Sequence, residues 1–301
     1  MEKSLLLLLF LVLGIFCKKK KLLPNSVAKM LNKVLINFFI PILILQYLPN
    51  LKFDKSHIWL VITPWIIYLF SFLFFEVFNY LRPIPKSARA TLIMTSGIGS
   101  ISFAGFPIFE LFYGQEGLSL GLILSLAGTF VVCNTIGIFT GFWYAQRKTN
   151  YSKLVRDILT FPPFMAMIFA VILLNLDIQY TESFALAIKF LGAPFSALAL
   201  FAVGLNLTTT SFNQNKNYFL LGQGFKLILA PLLIYTVLYF FGENNSLVGK
   251  ICILGAGLGS MNTIAIVAAE LNLRPKLAYL MPGVGIPISI ITVILIHFIF
   301  L

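Results

Sequence analysis

The stretch TSGIGSISFAGFP, from Thr95 to Pro107, places three glycines, three serines, a threonine and a closing proline inside an otherwise apolar segment. A second stretch, GAGLGSMNT from Gly255 to Thr263, repeats the small-residue pattern 160 residues later. Glycine and proline weaken helical hydrogen bonding, and a break at membrane depth is tolerated only where the backbone is buried in protein or lines a polar cavity. Paired interruptions in two halves of a membrane protein are the best sequence pointer to a transporter's binding site. The pair therefore predicts two broken helices that cross within the membrane.

Composition indicates a membrane protein with many spans. Of 301 residues, 59% are hydrophobic and only 11% are charged, which excludes an ordinary soluble domain. The net charge of +12 does not indicate nucleic-acid binding, because the charges lie between apolar runs rather than on one basic face. The three cysteines stand within apolar spans without metal-ligand spacing, so neither a metal nor a cofactor is expected.

Apolar runs predict an all-α polytopic protein of ten transmembrane helices without a soluble domain. The first run is short, and the lysine cluster that follows it favours a retained membrane helix over a secretory signal. The predicted spans are Ser4–Cys17, Ser26–Leu48, Trp59–Leu81, Ala90–Tyr113, Leu118–Ala145, Leu159–Leu176, Ser183–Leu205, Tyr218–Phe241, Val248–Leu271 and Leu277–Ile299.

The distribution of lysine and arginine predicts the orientation in the membrane. Most of the 22 basic residues fall in the loops after spans 1, 3, 5, 7 and 9. Because basic loops stay on the cytoplasmic side, we expect a multi-pass protein of the cytoplasmic membrane with both termini outside.

Ten spans divide into two sets of five, and an odd number of helices per set gives the two sets opposite orientations. We expect inverted repeats at residues 1–145 and 158–301, joined by a cytoplasmic linker at 146–157. The sequence keeps traces of this duplication, since PWIIY at Pro64–Tyr68 matches PLLIY at Pro231–Tyr235.

Two crossed, broken helices would present their N-termini to one small cavity, where unpaired amide groups and positive helix dipoles favour an anion. The predicted substrate-binding residues are Ser96, Ser100, Ser102, Asn134, Ser260, Asn262 and Thr263, and the predicted helix-break residues are Gly97, Gly99, Gly105, Pro107, Gly257 and Gly259. The alternative is that these small residues only allow close helix packing, and that Asn134 makes a structural bond between helices.

Other ionisable residues within the spans have less specific explanations. For Lys226 and Lys189 the expected behaviour is snorkelling to the membrane surface, although a cation beside an anion pathway would suit the substrate class. No carboxylate or histidine lies at the centre of a span, so the sequence leaves proton and sodium coupling open.

Several motifs, in order along the chain, resemble the auxin efflux carrier family, which includes plant PIN proteins and many bacterial permeases. The motifs are NFFIPILIL at Asn37–Leu45, GFPIFELFYGQEG at Gly105–Gly117, LALFAVGLNL at Leu198–Leu207, KLILAPLL at Lys226–Leu233 and MNTIAIVAAELNL at Met261–Leu273. The resemblance implies a crossed pair of broken helices, alternating access by movement of one bundle against the other, and small organic anions such as carboxylates as substrates. It also makes a homodimer an expected assembly.

The chain departs from the family pattern at three positions. Ser100 stands where the family often has Asn, Asn262 replaces the Pro of a frequent Met-Pro pair, and Ala197 replaces a common Pro. The missing proline at the second break leaves open whether the ninth span is sharply broken.

The sequence thus predicts a secondary transporter for a small organic anion, with the lipid bilayer as its surroundings; H⁺ and Na⁺ are the candidate coupling ions, and coupling itself stays open. Alternatives of related fold are sodium-coupled bile-acid symporters and arsenite efflux permeases. A membrane receptor or subunit that does not transport is a further alternative, but no soluble output domain is predicted. An enzyme is not expected, since no catalytic arrangement of residues shares a common depth.

Overall fold

The computed structural model describes residues 2–50, 54–147, 155–156, 158–176, 180–207 and 212–300. Within these ranges the chain is all-helical, and its only β-type pairing is an isolated bridge. Its α-helices are Glu2–Lys19, Asn25–Val34, Ile40–Tyr47, Ile58–Leu81, Lys86–Gly97, Phe106–Ile123, Ile138–Ala145, Pro162–Asn175, Glu182–Gly192, Phe195–Leu205, Phe212–Gly224, Ala230–Phe240, Leu247–Ala256, Asn262–Glu270 and Pro275–Phe300.

Several of these helices join through π-helical or 3₁₀ turns into longer runs. Six such runs are long and apolar enough to cross a membrane: Ser26–Tyr47, Lys55–Leu81, Ile101–Ala145, Glu182–Leu205, Phe212–Phe240 and Pro275–Ile299. Two shorter apolar helices are Pro162–Asn175 and Leu247–Ala256. The prediction of an all-helical, multi-pass membrane protein is confirmed at this level, whereas the arrangement of ten spans in inverted repeats stays a prediction.

The interruptions of the long runs follow the prolines and glycines. The π-helical turns Leu35–Phe39 and Phe225–Leu229 each come just before a proline, Pro41 and Pro231, whose missing N–H cannot complete the regular helical ladder. Gly114 has a φ of +63°, a left-handed conformation that glycine adopts without strain, and it divides Phe106–Ile123 at the turn between two predicted spans.

The chain divides into two compact units that do not coincide with the predicted repeats. One unit takes residues Met1–Asp54, Phe106–Leu122 and Asn150–Leu207, and the other takes Lys55–Gly105, Ile123–Thr149 and Thr208–Leu301. Each unit contains helices from both predicted repeats, so repeat and unit are different divisions. The repeat boundaries stay a prediction, and most of the predicted linker at 146–157 lies outside the described residues.

In the first unit, glycines bring two helices into backbone contact. A Cβ at Gly14 would lie 2.3 Å from the carbonyl oxygen of Phe201, and one at Gly204 would lie 2.5 Å from that of Leu11. Only glycine on both helices allows this approach, as in other small-residue membrane interfaces. The helix Glu2–Lys19 is therefore packed into the protein through its second half.

The second unit contains both small-residue stretches, and contacts among its helices hold these helices together. The helix Ile58–Leu81 packs closely on the π-helical turn Leu124–Phe130: Pro64 leaves the Leu60 carbonyl without its usual helical donor, and a Cβ at Gly128 would lie 2.6 Å from that oxygen. At the ends of the helices, Arg89 Nε lies 3.1 Å from Glu76 Oε1, and the Tyr144 hydroxyl donates to the same carboxylate. These contacts fasten the helix Lys86–Gly97, which leads into the first stretch, to its neighbours.

Candidate functional site

The two small-residue stretches meet as short extended segments between helices. The helix Lys86–Gly97 ends in extended backbone at Ile98, and the helix Leu247–Ala256 ends at Gly257. Gly99 and Ser260 form an antiparallel bridge, in which Ser100 N–H donates to Gly259 O at 2.7 Å and Met261 N–H donates to Ile98 O at 3.0 Å. We call this pairing of residues 98–100 with 259–261 the crossing.

Helical structure resumes directly after the crossing on both strands. One strand continues into a π-helical turn at Ile101–Gly105, and the other continues into the helix Asn262–Glu270. No side chain caps the helix that begins at Asn262. Because the first amide groups of a helix have no partner within it, both helical starts direct unpaired N–H groups and positive dipole ends toward the crossing. The second stretch breaks without the proline that is frequent in the family.

Glycine at position 259 is required by the close packing of the crossing. A Cβ there would lie 2.7 Å from the carbonyl carbon and oxygen of Gly285 and from the Cα of Ile286, all of them backbone atoms of the helix Pro275–Phe300. Gly97 is similarly confined, since its Cβ would lie 2.7 Å from Cδ2 of the buried Tyr68 ring. The predicted break residue Gly257 packs near the apolar side chains of Val293 and Ile296.

The remaining two predicted break residues, Gly105 and Pro107, lie on either side of the point where the chain passes from one compact unit to the other. Gly105 is the last residue of the π-helical turn and belongs to the second unit, and Pro107 lies in the first turn of the helix Phe106–Ile123 in the first unit. As at Pro41 and Pro231, this proline follows a π-helical turn within a continuous helical run, where its missing N–H cannot complete the regular ladder. These two residues thus stand where the chain leaves the crossing.

The two faces of the crossing carry different side chains. Residues directly opposite in an antiparallel pair project to the same face, and neighbours along a strand project to opposite faces. The Cβ position of Gly99 and the side chain of Ser260 therefore share one face, and Ser100 and Met261 share the other. This alternation separates the predicted site residues into two groups.

On the Gly99 face lies a buried lysine. The Lys226 Nζ atom lies 3.3 Å from the position that a Cβ at Gly99 would take, and the carbonyl oxygens of Gly255 and Leu258 lie 3.4 and 3.6 Å from the same point. Lys226 is only 1% exposed and belongs to the π-helical turn Phe225–Leu229. The expectation that this lysine snorkels to the surface is wrong, because the turn directs it toward the crossing instead.

The Lys226 ammonium has no acidic partner among the described residues, and no hydrogen bond between described residues reaches it. The carboxylates of its unit are Glu76, Glu243 and Glu270. Glu76 pairs with Arg89, and Glu270 is the last residue of its helix. The crossing therefore combines a buried lysine with the N-terminal ends of two helices and the C-terminal ends of two others, and no carboxylate among the described residues pairs with the lysine.

Two buried oxygen atoms near Lys226 also lack hydrogen bonds within the described part of the chain. The Ser260 Oγ atom is buried and unpartnered on the Gly99 face. Gln223 stands one helical turn before Lys226, and while its Nε2 donates to Met281 O at 3.0 Å, its Oε1 is buried without a partner. Gln223 packs against Gly285, where a Cβ would lie 2.3 Å from its Nε2. The sequence analysis did not place Gln223 near the crossing, and it gave a role beside the anion pathway for Lys226 only as the alternative to snorkelling; a polar pair one turn apart in an apolar span is the signal that marks them.

The other predicted substrate-binding residues have varied surroundings. The buried Ser96 hydroxyl donates to Gly222 O at 3.3 Å, so it ties the first stretch to the helix that carries Lys226. Ser102 shares a 2.8 Å hydrogen bond with Ser125. Asn262 is half-buried and Thr263 is exposed, and both lie in the first turn of their helix. Ser100 is buried on the face opposite Lys226.

Asn134 lies near the crossing but does not bond to it. Its amide donates to Phe130 O at 2.9 Å, one turn back in its own helical run. One turn further on, a Cβ at Gly137 would lie 2.8 Å from the Ile98 side chain and 3.3 Å from that of Ile264. The π-helical turn Cys133–Gly137 therefore packs against both broken segments, while the hydrogen bond of Asn134 serves its own helix.

Comparison with known families identifies the protein. A family described as membrane transport protein matches residues 1–297, nearly the whole chain. The chain belongs to this family, the auxin efflux carriers. The motifs quoted from the sequence are therefore those of a membrane transporter, and the resemblance is confirmed.

Individual relatives of this carrier are also transporters by name. It is 26% identical to an uncharacterized transporter of Methanothermobacter thermautotrophicus over 90% of this chain and 89% of the relative. It is 24% identical to the uncharacterized transporter YfdV of Escherichia coli over 77% and 76% of the two chains. An uncharacterized transporter of Methanocaldococcus jannaschii is 23% identical over 79% of this chain and 78% of its own.

Proposed function

We propose that this carrier is a secondary transporter for a small organic anion, a carboxylate, which binds at the crossing. The observation that carries the proposal is the meeting of two helix starts and a buried lysine at the crossing, where no carboxylate among the described residues pairs with the lysine. Helix N-termini and a basic side chain in an enclosed region favour anions over cations. Family membership independently supports transport.

The anion would bind on the face opposite Lys226. Ser100 lies on that face by strand alternation, and Ser102, Asn262 and Thr263 stand in the first turns of the two helices that leave the crossing. Their hydroxyl, amide and backbone N–H groups are donors that suit the two oxygens of a carboxylate. Asn134, in the neighbouring π-helical turn, is the remaining candidate contact.

Hydrogen bonds, rather than helix dipoles, would decide which anion is accepted. A hydrogen bond to a charged group contributes about 1.5–3 kcal/mol, whereas one helix dipole contributes about 0.3–1 kcal/mol. Ser96 and Ser260 are buried, and Ser96 donates to Gly222. Their proposed role is therefore to support the crossing from behind the bound anion.

Transport would proceed by alternating access, with the crossing open to each side of the membrane in turn. This proposal includes ten spans in two inverted repeats, both termini outside, a location in the cytoplasmic membrane, and a homodimer as the assembly. The repeated small-residue stretches and the basic loops support the topology. Since the sequence has no nucleotide-binding P-loop pattern, the energy for accumulation would come from a gradient or from another chain.

Uptake by the purified protein tests this function. Radiolabelled mono- and dicarboxylates are offered to proteoliposomes while pH, sodium and voltage gradients are imposed separately. We expect saturable uptake of at least one acid, absent from protein-free liposomes. Uptake of organic cations instead of acids would contradict the anion proposal, and failure of every acid with folded protein would favour an arsenite-type substrate or a function without transport.

A further inference from the structure

The space beside Gly99, into which Lys226 extends, has features of a cation site. The position that a Cβ at Gly99 would take lies 3.4 and 3.6 Å from the carbonyl oxygens of Gly255 and Leu258, at the C-terminal end of a broken helix, and 3.3 Å from the Lys226 Nζ atom. The Ser260 Oγ lies on the same face and has no partner among the described residues. Carbonyls at helix C-termini and in unwound segments are the ligands that carriers use for a coupling Na⁺.

In its protonated form, Lys226 would supply a positive charge beside this space without a bound ion. Its ammonium group ends 3.3 Å from the same Gly99 position, and the side chain is 1% exposed. The C-terminal end of the helix and the two carbonyl dipoles favour a cation there, and no carboxylate pairs with Lys226 in the described ranges. Gly99 leaves the room that the ammonium group needs.

We propose that the Lys226 ammonium takes the place of a sodium ion at the crossing, so that the protein needs no sodium for stability or for transport. The part of this inference that concerns transport rests on the proposed function, and the part that concerns ion binding does not. The inference also distinguishes this carrier from sodium-coupled symporters of related fold. A single side chain would thereby decide the ion dependence of the crossing.

Thermal unfolding of the detergent-purified protein tests the inference without any substrate. Melting temperatures are compared in sodium, potassium and choline chloride at equal ionic strength, for the wild type, Lys226→Ala and Lys216→Ala. The control residue Lys216 is exposed and lies on the same helical run, away from the crossing. We expect wild type and Lys216→Ala to melt within about 1 °C in all three salts. Lys226→Ala should melt lower in choline and recover by about 3 °C or more as sodium rises, with saturation.

Each outcome decides the inference. Equal melting of Lys226→Ala in all three salts overturns it, and so does saturable stabilisation of the wild type by sodium over choline. If Lys226→Ala yields no folded protein in choline, purification in sodium chloride should rescue it, while Lys226→Arg, which keeps the charge, should fold in either salt. Failure of sodium to rescue the alanine variant also overturns the inference.

Uptake measurements test the part of the inference that concerns transport. Wild-type uptake of an accepted acid should be unchanged when choline replaces sodium, whereas uptake by Lys226→Ala should become sodium-dependent. If no acid is taken up at all, the proposed function fails, but the melting experiment still decides whether Lys226 replaces a cation.

Discussion

Replacement of Gly259 by alanine is expected to reduce uptake at least about tenfold and to lower the melting temperature. The added Cβ would lie 2.7 Å from three backbone atoms of Gly285 and Ile286, and backbone atoms cannot swing aside as the end of a side chain can. Overpacking of this kind costs about 1–3 kcal/mol. Because Gly259 O accepts the hydrogen bond of Ser100 N–H, the strain falls on the crossing itself. Initial uptake rates and thermal melting of the same preparation measure both effects.

Gly224 provides the matched control for this substitution. A Cβ at Gly224 would meet no atom within 4 Å, and the residue ends the helix Phe212–Gly224, where alanine is a better helix former. Gly224→Ala should therefore keep wild-type uptake and equal or higher stability. Wild-type uptake and melting by Gly259→Ala would show that the close approach at the crossing is not needed.

Replacement of Asn262 is expected to remove transport while leaving the fold intact. Asn262→Leu deletes the amide at the start of the helix Asn262–Glu270, and loss of one hydrogen bond to a charged substrate lowers binding by about 10- to 100-fold. Asn262→Asp keeps the size but adds a negative charge. That charge favours the positive helix end, worth about 0.3–1 kcal/mol, and repels an anionic substrate. Uptake and melting should therefore change in opposite directions in the aspartate variant.

Ile266 gives the control on the same helix. It is 44% exposed and lies one turn after Asn262, so Ile266→Ala should leave uptake near the wild-type level. If Asn262→Asp transported acids as fast as the wild type, the anion could not lie at this helix start. If both Asn262 variants lost uptake only because they failed to fold, the melting curves would reveal it.

The position of the two helix breaks could be predicted from the sequence, because a helix break depends mainly on the residues within the broken segment itself. Two glycine- and serine-rich stretches in apolar surroundings have few structural explanations, and the helix breaks fall at Gly97 and Gly257 within them. The second break forms without a proline because Gly259 permits the backbone approach to Gly285 and Ile286. That cause is a contact with another helix, which the stretch itself does not reveal.

The roles of individual polar residues were less accessible from the sequence. Whether Lys226 snorkels or turns inward depends on the π-helical turn before Pro231 and on the space left by Gly99, which lies far away in the chain. The separation of Ser260 from Ser100 follows from the pairing of the two extended segments. Ser96 donates to Gly222, a partner 126 positions away. Such roles depend on tertiary contacts, and residue type alone predicts only that these groups are polar.

The central claim is that the crossing accepts a negatively charged substrate, and a competition experiment tests it most directly. Uptake of a radiolabelled carboxylate into proteoliposomes is measured with excess unlabelled acid or with an equal excess of its own uncharged amide. The two competitors match in shape and differ in charge. We predict that the acid suppresses uptake and that the amide leaves it within about twofold of the control. The amide should bind more weakly, because a hydrogen bond to a neutral partner is roughly half as strong as one to a charged partner. Equal suppression by acid and amide would contradict the account.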